Sequence, residues 1–87
     1  MKGKEIYVMF QEIVEDGSTV RQTVDTFENQ EDAQAELEGI AQEETERLAK
    51  EHNDWKMAAG SPDYFECAGD DYYNNHSTAK IVKSVIR

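Results

Sequence analysis

Residues 4 to 27 read KEIYVMFQEIVEDGSTVRQTVDTF, and the way this stretch is parsed decides the fold. Its first eleven residues are rich in strand formers. Ile6, Val8, Phe10 and Val14 alternate onto one face, with Glu12 the single polar interruption. Glu15-Asp16-Gly17-Ser18 is a turn signal, and a second strand pattern runs from Thr19 to Phe27. Two loops are possible, and register separates them. A two-residue Asp16-Gly17 loop pairs Ile13 with Val20 and puts Val20, Val24 and Met9 opposite Phe10. A three-residue loop, with Gly17 left-handed, sets Val20 and Val24 beside Val8, Phe10 and Val14. The second makes one coherent apolar face and is the expected hairpin.

Downstream, residues 29 to 53 carry a helical pattern. Ala33, Leu37, Ile40, Ala41 and Leu48 recur at three- and four-residue intervals. Asn29 suits the N-cap; Glu31 and Asp32 fall in the first turn, and Arg47, Lys50 and His52 near the end, as the helix dipole favours. Gly39 is unfavourable inside a helix by about 1 kcal/mol relative to Ala, so a close approach to the sheet is expected there. Residues 53 to 62 contain the only proline, Pro62, and read as a connection whose Trp55 and Met57 fold back over the core. A short strand over Tyr64 to Ala68, a polar loop over Gly69 to Ser77 and a last strand over Thr78 to Ile86 complete the chain. The expected architecture is α+β: strand-strand-helix-strand-strand, one mainly antiparallel sheet with a single helix on one face.

Eighty-seven residues make one domain, 1–87, with a small core. Leu, Ile, Val and Phe supply only 16 of them, so dimerisation is one way to cover leftover apolar surface. Cys67 is the only cysteine, which excludes an internal disulfide, and no secretory signal or membrane span is visible. A cytoplasmic protein is expected.

Charge is segregated. Residues 15 to 54 hold 13 acidic and 3 basic side chains, while both flanking segments balance, so the whole net charge of −10 lies in the middle. Such a balance opposes direct contact with nucleic acid or anionic membrane. On a helical wheel Asp32, Glu36, Glu43 and Glu46 fan across the side away from the apolar stripe. The plainer reading is a solvated face that keeps a small protein soluble; the sharper one is a docking surface for a basic partner. Only Arg47 and Lys50 offer compensation within the helix, and Glu15 and Asp16 at the hairpin turn extend the same sign. Glu44 falls inside the apolar stripe, either as a snorkelling edge residue or as a buried carboxylate with a raised pKa.

The loop after Cys67 gathers Asp70, Asp71, Asn74 and His76, groups that hard cations accept, but the spacing matches no calcium loop and the Cys and His residues are too scattered for zinc. Cys67 with His76 also suggests a cysteine nucleophile; a lone Cys in an apolar strand is more often a small core residue. No catalytic residue, metal ligand or cofactor is therefore assigned. Tyr72 and Tyr73 would serve as apolar anchors in protein binding.

The chain resembles, in composition alone, the small acidic inhibitors and decoys carried by phages and mobile elements, some of which imitate the charge of DNA on a nucleic-acid-binding enzyme. The leading expectation is a non-enzymatic acidic protein-binding domain that occupies a basic surface through Asp32, Glu36, Glu43, Glu46, Glu15 and Asp16, with Tyr72 and Tyr73 as anchors. The second is an assembly module that homodimerises through an open sheet face carrying Tyr7, Met9, Ile13 and Phe27. The third is a weak metal-binding or hydrolytic protein centred on Cys67, Asp70, Asp71 and His76.

Overall fold

The opening hairpin forms, but its tip is tighter than expected. In the computed structural model, which describes residues 4–52, 54–71 and 73–86, β1 (Lys4–Glu15) and β2 (Ser18–Phe27) are joined by Asp16 and Gly17 alone. Both adopt positive φ, 51° and 79°, the geometry that matches the strands' right-handed twist in a two-residue turn. The extra residue sits further along. Val14 pairs with Thr19 and Ile13 with Arg21, so Val20 is a bulge, and beyond it Phe10 faces Val24. The register chosen on apolar alternation holds past the bulge, while the loop length does not.

The expected helix is α1 (Gln30–Glu51). The Asn29 side chain accepts from the Asp32 amide at 2.9 Å, and Glu31 and Asp32 occupy the positive end of the dipole. At the other end the His52 amide donates to the Leu48 carbonyl, closing the last turn. Gly39 departs from expectation. It is exposed, and a Cβ built there meets nothing within 4 Å, so no close approach to the sheet explains it.

Residues read as a connection contain a further strand, β3 (Lys56–Ser61), which turns through Pro62 and Asp63 into β4 (Tyr64–Ala68). Lys, Ala and Gly are poor strand formers, so local composition hides β3; its ladder with β4 makes it a strand. β5 (His76–Ile86) runs antiparallel to both β1 and β4. The order across the sheet is β2-β1-β5-β4-β3, antiparallel throughout, and α1 crosses one face as it carries the chain from one edge to the other. The molecule is long and flat, 51 × 21 × 16 Å. No helix among the described residues is long and apolar enough to cross a membrane.

The face under α1 is not the one that the alternation in β1 favours. Met9, Phe65, Cys67 and Ala79 from the sheet pack on Leu37 and Leu48 of the helix, with Trp55 closing the cluster and Phe27 and Ile81 at its margin. Ile13 is buried too. The face with Tyr7, Met9, Ile13 and Phe27 is thus occupied within the chain, which overturns its assignment as a surface for a second subunit. The open face carries Phe10, Val24 and Val82, exposed by 40%, 60% and 45%. Lys80 partly shields it, with its Nζ 5.6 Å from the centre of the Phe10 ring.

Candidate interaction surface

The sequence of α1 sorts its side chains by angle. Ala33, Leu37, Glu44 and Leu48 are buried against the sheet, whereas Asp32, Glu36, Glu43 and Glu46 are exposed. At 3.6 residues per turn these four lie within an arc of about 80°. Glu31 and Glu38, also exposed, widen the acidic side. Among the described residues no cation is bonded to Glu36, Glu43 or Glu46, and Asp32 bonds only within the cap: its carboxylate accepts from Asn29 Nδ2 and its backbone amide donates to Asn29 Oδ1, both at 2.9 Å. Two described cations from the chain's ends go elsewhere. Lys4 pairs with Glu28 at 2.8 Å and holds its carboxyl below the usual range, while Lys83 pairs with Glu5 at 3.1 Å and is itself raised by that contact.

One cation is committed where the helix meets the hairpin tip. Arg47 Nη1 donates to Glu15 at 2.8 Å and to Glu51 at 2.7 Å, and its Nε and Nη2 grip both oxygens of Glu44 at 2.8 and 3.0 Å. These hydrogen bonds raise the guanidinium further above its already high value, against a smaller cost of burial. Glu15 is therefore ion-paired, sharing the one guanidinium with Glu44 and Glu51, and is not a free charge of the outer helix side. Glu44 is buried, as its place in the stripe implies, yet its pKa is lowered. Burial alone would push it up; hydrogen bonds from Arg47 and Ser77, with the charges of Arg47 and Arg21, outweigh that. It is an anchored ion and not a poised acid. Its partner Arg47 stands three residues on, a spacing visible in the sequence, but Ser77 comes from β5 and is not.

The same end of the molecule gathers the polar loop. The Gly17 amide donates to the Asn74 carbonyl at 2.9 Å, and the Asp16 amide to Asn75 Oδ1 at 3.1 Å. Asp16, Asp70 and Asp71 are exposed there, and Tyr73 is 88% exposed. Tyr72 lies outside the described residues. Asn74 Nδ2 donates to Asp71 at 2.6 Å, a bond that shapes the loop from within.

Cys67 and His76 do not meet. Cys67 packs under the helix, its thiol pushed up by burial and by the charge of Glu44. His76 pairs with Ala68, one residue out of step, and so points to the other face, where Nε2 lies 2.8 Å from Glu12. A thiolate–imidazole pair is therefore ruled out between them. Glu15, Glu51 and His52 approach closely enough for a metal, but Arg47 already bonds both carboxylates and the His52 ring stacks on Trp55, centroids 4.9 Å apart.

No protein family, no curated protein and no solved structure matches this chain.

Proposed function

We propose that this protein is a non-enzymatic acidic interaction domain, acting in the cytoplasm as an inhibitor or decoy that covers a basic surface of a partner protein. The supporting observation is the outer side of α1, where Glu36, Glu43 and Glu46 are exposed and bonded to no cation among the described residues, although the chain contains nine Lys and Arg. Uncompensated like charge destabilises a small fold, and a cationic partner would relieve it. Glu31, Asp32, Glu36, Glu38, Glu43 and Glu46 span about 22 Å of helix, roughly one charge per 4 Å, close to the 3.4 Å of a single DNA strand. A groove built to follow a phosphate backbone is the matching kind of target. Asp16 and Tyr73 flank the helix end that carries Glu46, and Tyr73 supplies apolar contact area.

Affinity capture at increasing salt tests this reading. Recovery of the partner is expected to fall steeply between about 0.05 and 0.5 M salt, and to fall at least tenfold with Glu36→Lys and Glu43→Lys together. Recovery indifferent to both salt and charge reversal would remove the mechanism.

A further inference from the structure

The two edges of the sheet are built differently. β3 is short, bulged between Met57 and Ala59, starts with Lys56, contains Gly60 and is followed at once by Pro62, all devices that discourage a further strand. β2 has ten residues and no lysine, proline or glycine; every side chain from Ser18 to Thr26 is exposed. Its one bulge, at Val20, leaves Arg21 to Phe27 as a regular run. A strand with only one neighbour presents a row of unpaired amides and carbonyls on its free side, a template for another strand.

Arg21 and Asp25 identify that strand. Within the chain their cross-strand neighbours on β1 are Ile13 and Met9, and among the described residues neither makes an ion pair. Outward-pointing backbone groups alternate, so two copies of β2 laid antiparallel can pair only residues of the same parity. Seven registers centre on a residue of the regular run. Centring on Arg21 or on Asp25 puts like charges face to face. Centring on Gln22, Val24, Thr26 or Phe27 leaves the charges out of line. Centring on Thr23 sets Arg21 opposite the second copy's Asp25 and Asp25 opposite its Arg21, forming two ion pairs related by the two-fold axis.

We infer that β2 is a homodimerisation edge, pairing antiparallel with β2 of a second copy about a two-fold axis at Thr23. The two sheets then run on as one, with both helices on the same side and the Phe10–Val24 faces joined on the other. The inference is independent of the acidic-surface reading, since it uses a different edge and a partner of the same charge.

The test is the oligomeric state of the full chain by sedimentation velocity at about 0.15 M salt, where charges beyond about 8 Å are screened but cross-strand neighbours are not. Wild-type protein is expected to dimerise. Arg21→Asp or Asp25→Arg alone is expected to weaken the dimer at least about tenfold, and the double exchange to restore it to within about threefold. Circular dichroism is the check that each variant keeps its fold; Arg21→Asp also removes a charge felt by Glu44, so the rescue by Asp25→Arg is the decisive arm. A wild-type chain monomeric up to about 1 mM overturns the inference. So does a dimer indifferent to the single exchanges, or one that the double exchange fails to restore. A dimer lost only with Phe10→Asp, which would place the contact on the open face, overturns it as well.

Discussion

Ser77 Oγ donates to Oε1 of Glu44 at 2.9 Å, tying β5 to the middle of α1 across 33 positions of sequence. Both oxygens of Glu44 are thereby engaged, since Arg47 takes the same oxygen through Nη2 and the other through Nε. A carboxylate under a helix is costly unless its acceptors are filled, and here they are. The bond fixes where along the sheet the helix sits.

Glu44→Ala is expected to destabilise the protein by about 2 kcal/mol, because Ser77 loses its acceptor and Arg47 loses its best-buried partner while keeping Glu15 and Glu51. Urea unfolding at neutral pH measures it. A cost under about 0.5 kcal/mol would show that the contact is incidental.

Acid should abolish that contribution. The folded protein holds Glu44 below its ordinary value of 4.5, so the unfolded chain takes up the proton first as pH falls. The stabilisation is complete above that ordinary value and is lost as pH drops through the lower folded-state value. The stability gap between wild type and Glu44→Gln is therefore expected to be constant near neutrality and to close in acid. A gap that widens in acid contradicts the assignment.

Gly39→Ala is expected to stabilise the protein by about 0.5–1 kcal/mol, since glycine in an exposed helix interior costs that much in backbone freedom and the added methyl meets nothing within 4 Å. The melting midpoint should rise by several degrees. A fall would mean that the position is constrained by something other than helix propensity.

Gly69→Ala should do the opposite. An added Cβ would lie 2.9 Å from Nε1 and 3.0 Å from Cδ1 of the buried Trp55 ring, which already stacks on His52. Displacing that ring should cost about 1–3 kcal/mol and shift the tryptophan emission of the native protein. Unchanged emission and stability would show that the ring has room to move.

Cys67 should be inert in the native state. Its thiol is buried and its pKa raised, so reaction with a thiol reagent near neutrality should be slow until denaturant opens the core. Rapid native labelling would revive a reactive role.

Much of the fold was legible because it depends on near neighbours in sequence. The cap at Asn29, the stripe of Ala33, Leu37 and Leu48, and the span of β4 follow from spacing and residue type alone. So does the acidic outer side of α1, for a helix whose buried face is known must expose the opposite one. β3 was not legible, because Lys56 to Ser61 become a strand only through the ladder with β4. Nor was the deeper role of Arg47, whose reach to Glu15 requires the hairpin tip to lie against the helix.

By itself, then, the sequence determined the helix, its N-cap, the hairpin before it, the strands β4 and β5 and where the helix would carry its negative charge. The tertiary structure alone decided which side of β1 faces the helix. Alternation within β1 favours Ile6, Val8, Phe10 and Val14, yet the side of Met9 and Ile13 goes under the helix, so the strand's own pattern does not make the choice. The choice comes from Phe65 on β4 and Ala79 on β5, more than fifty residues away, which pair in register with Met9's side and present Leu37 and Leu48 with one continuous surface to bury.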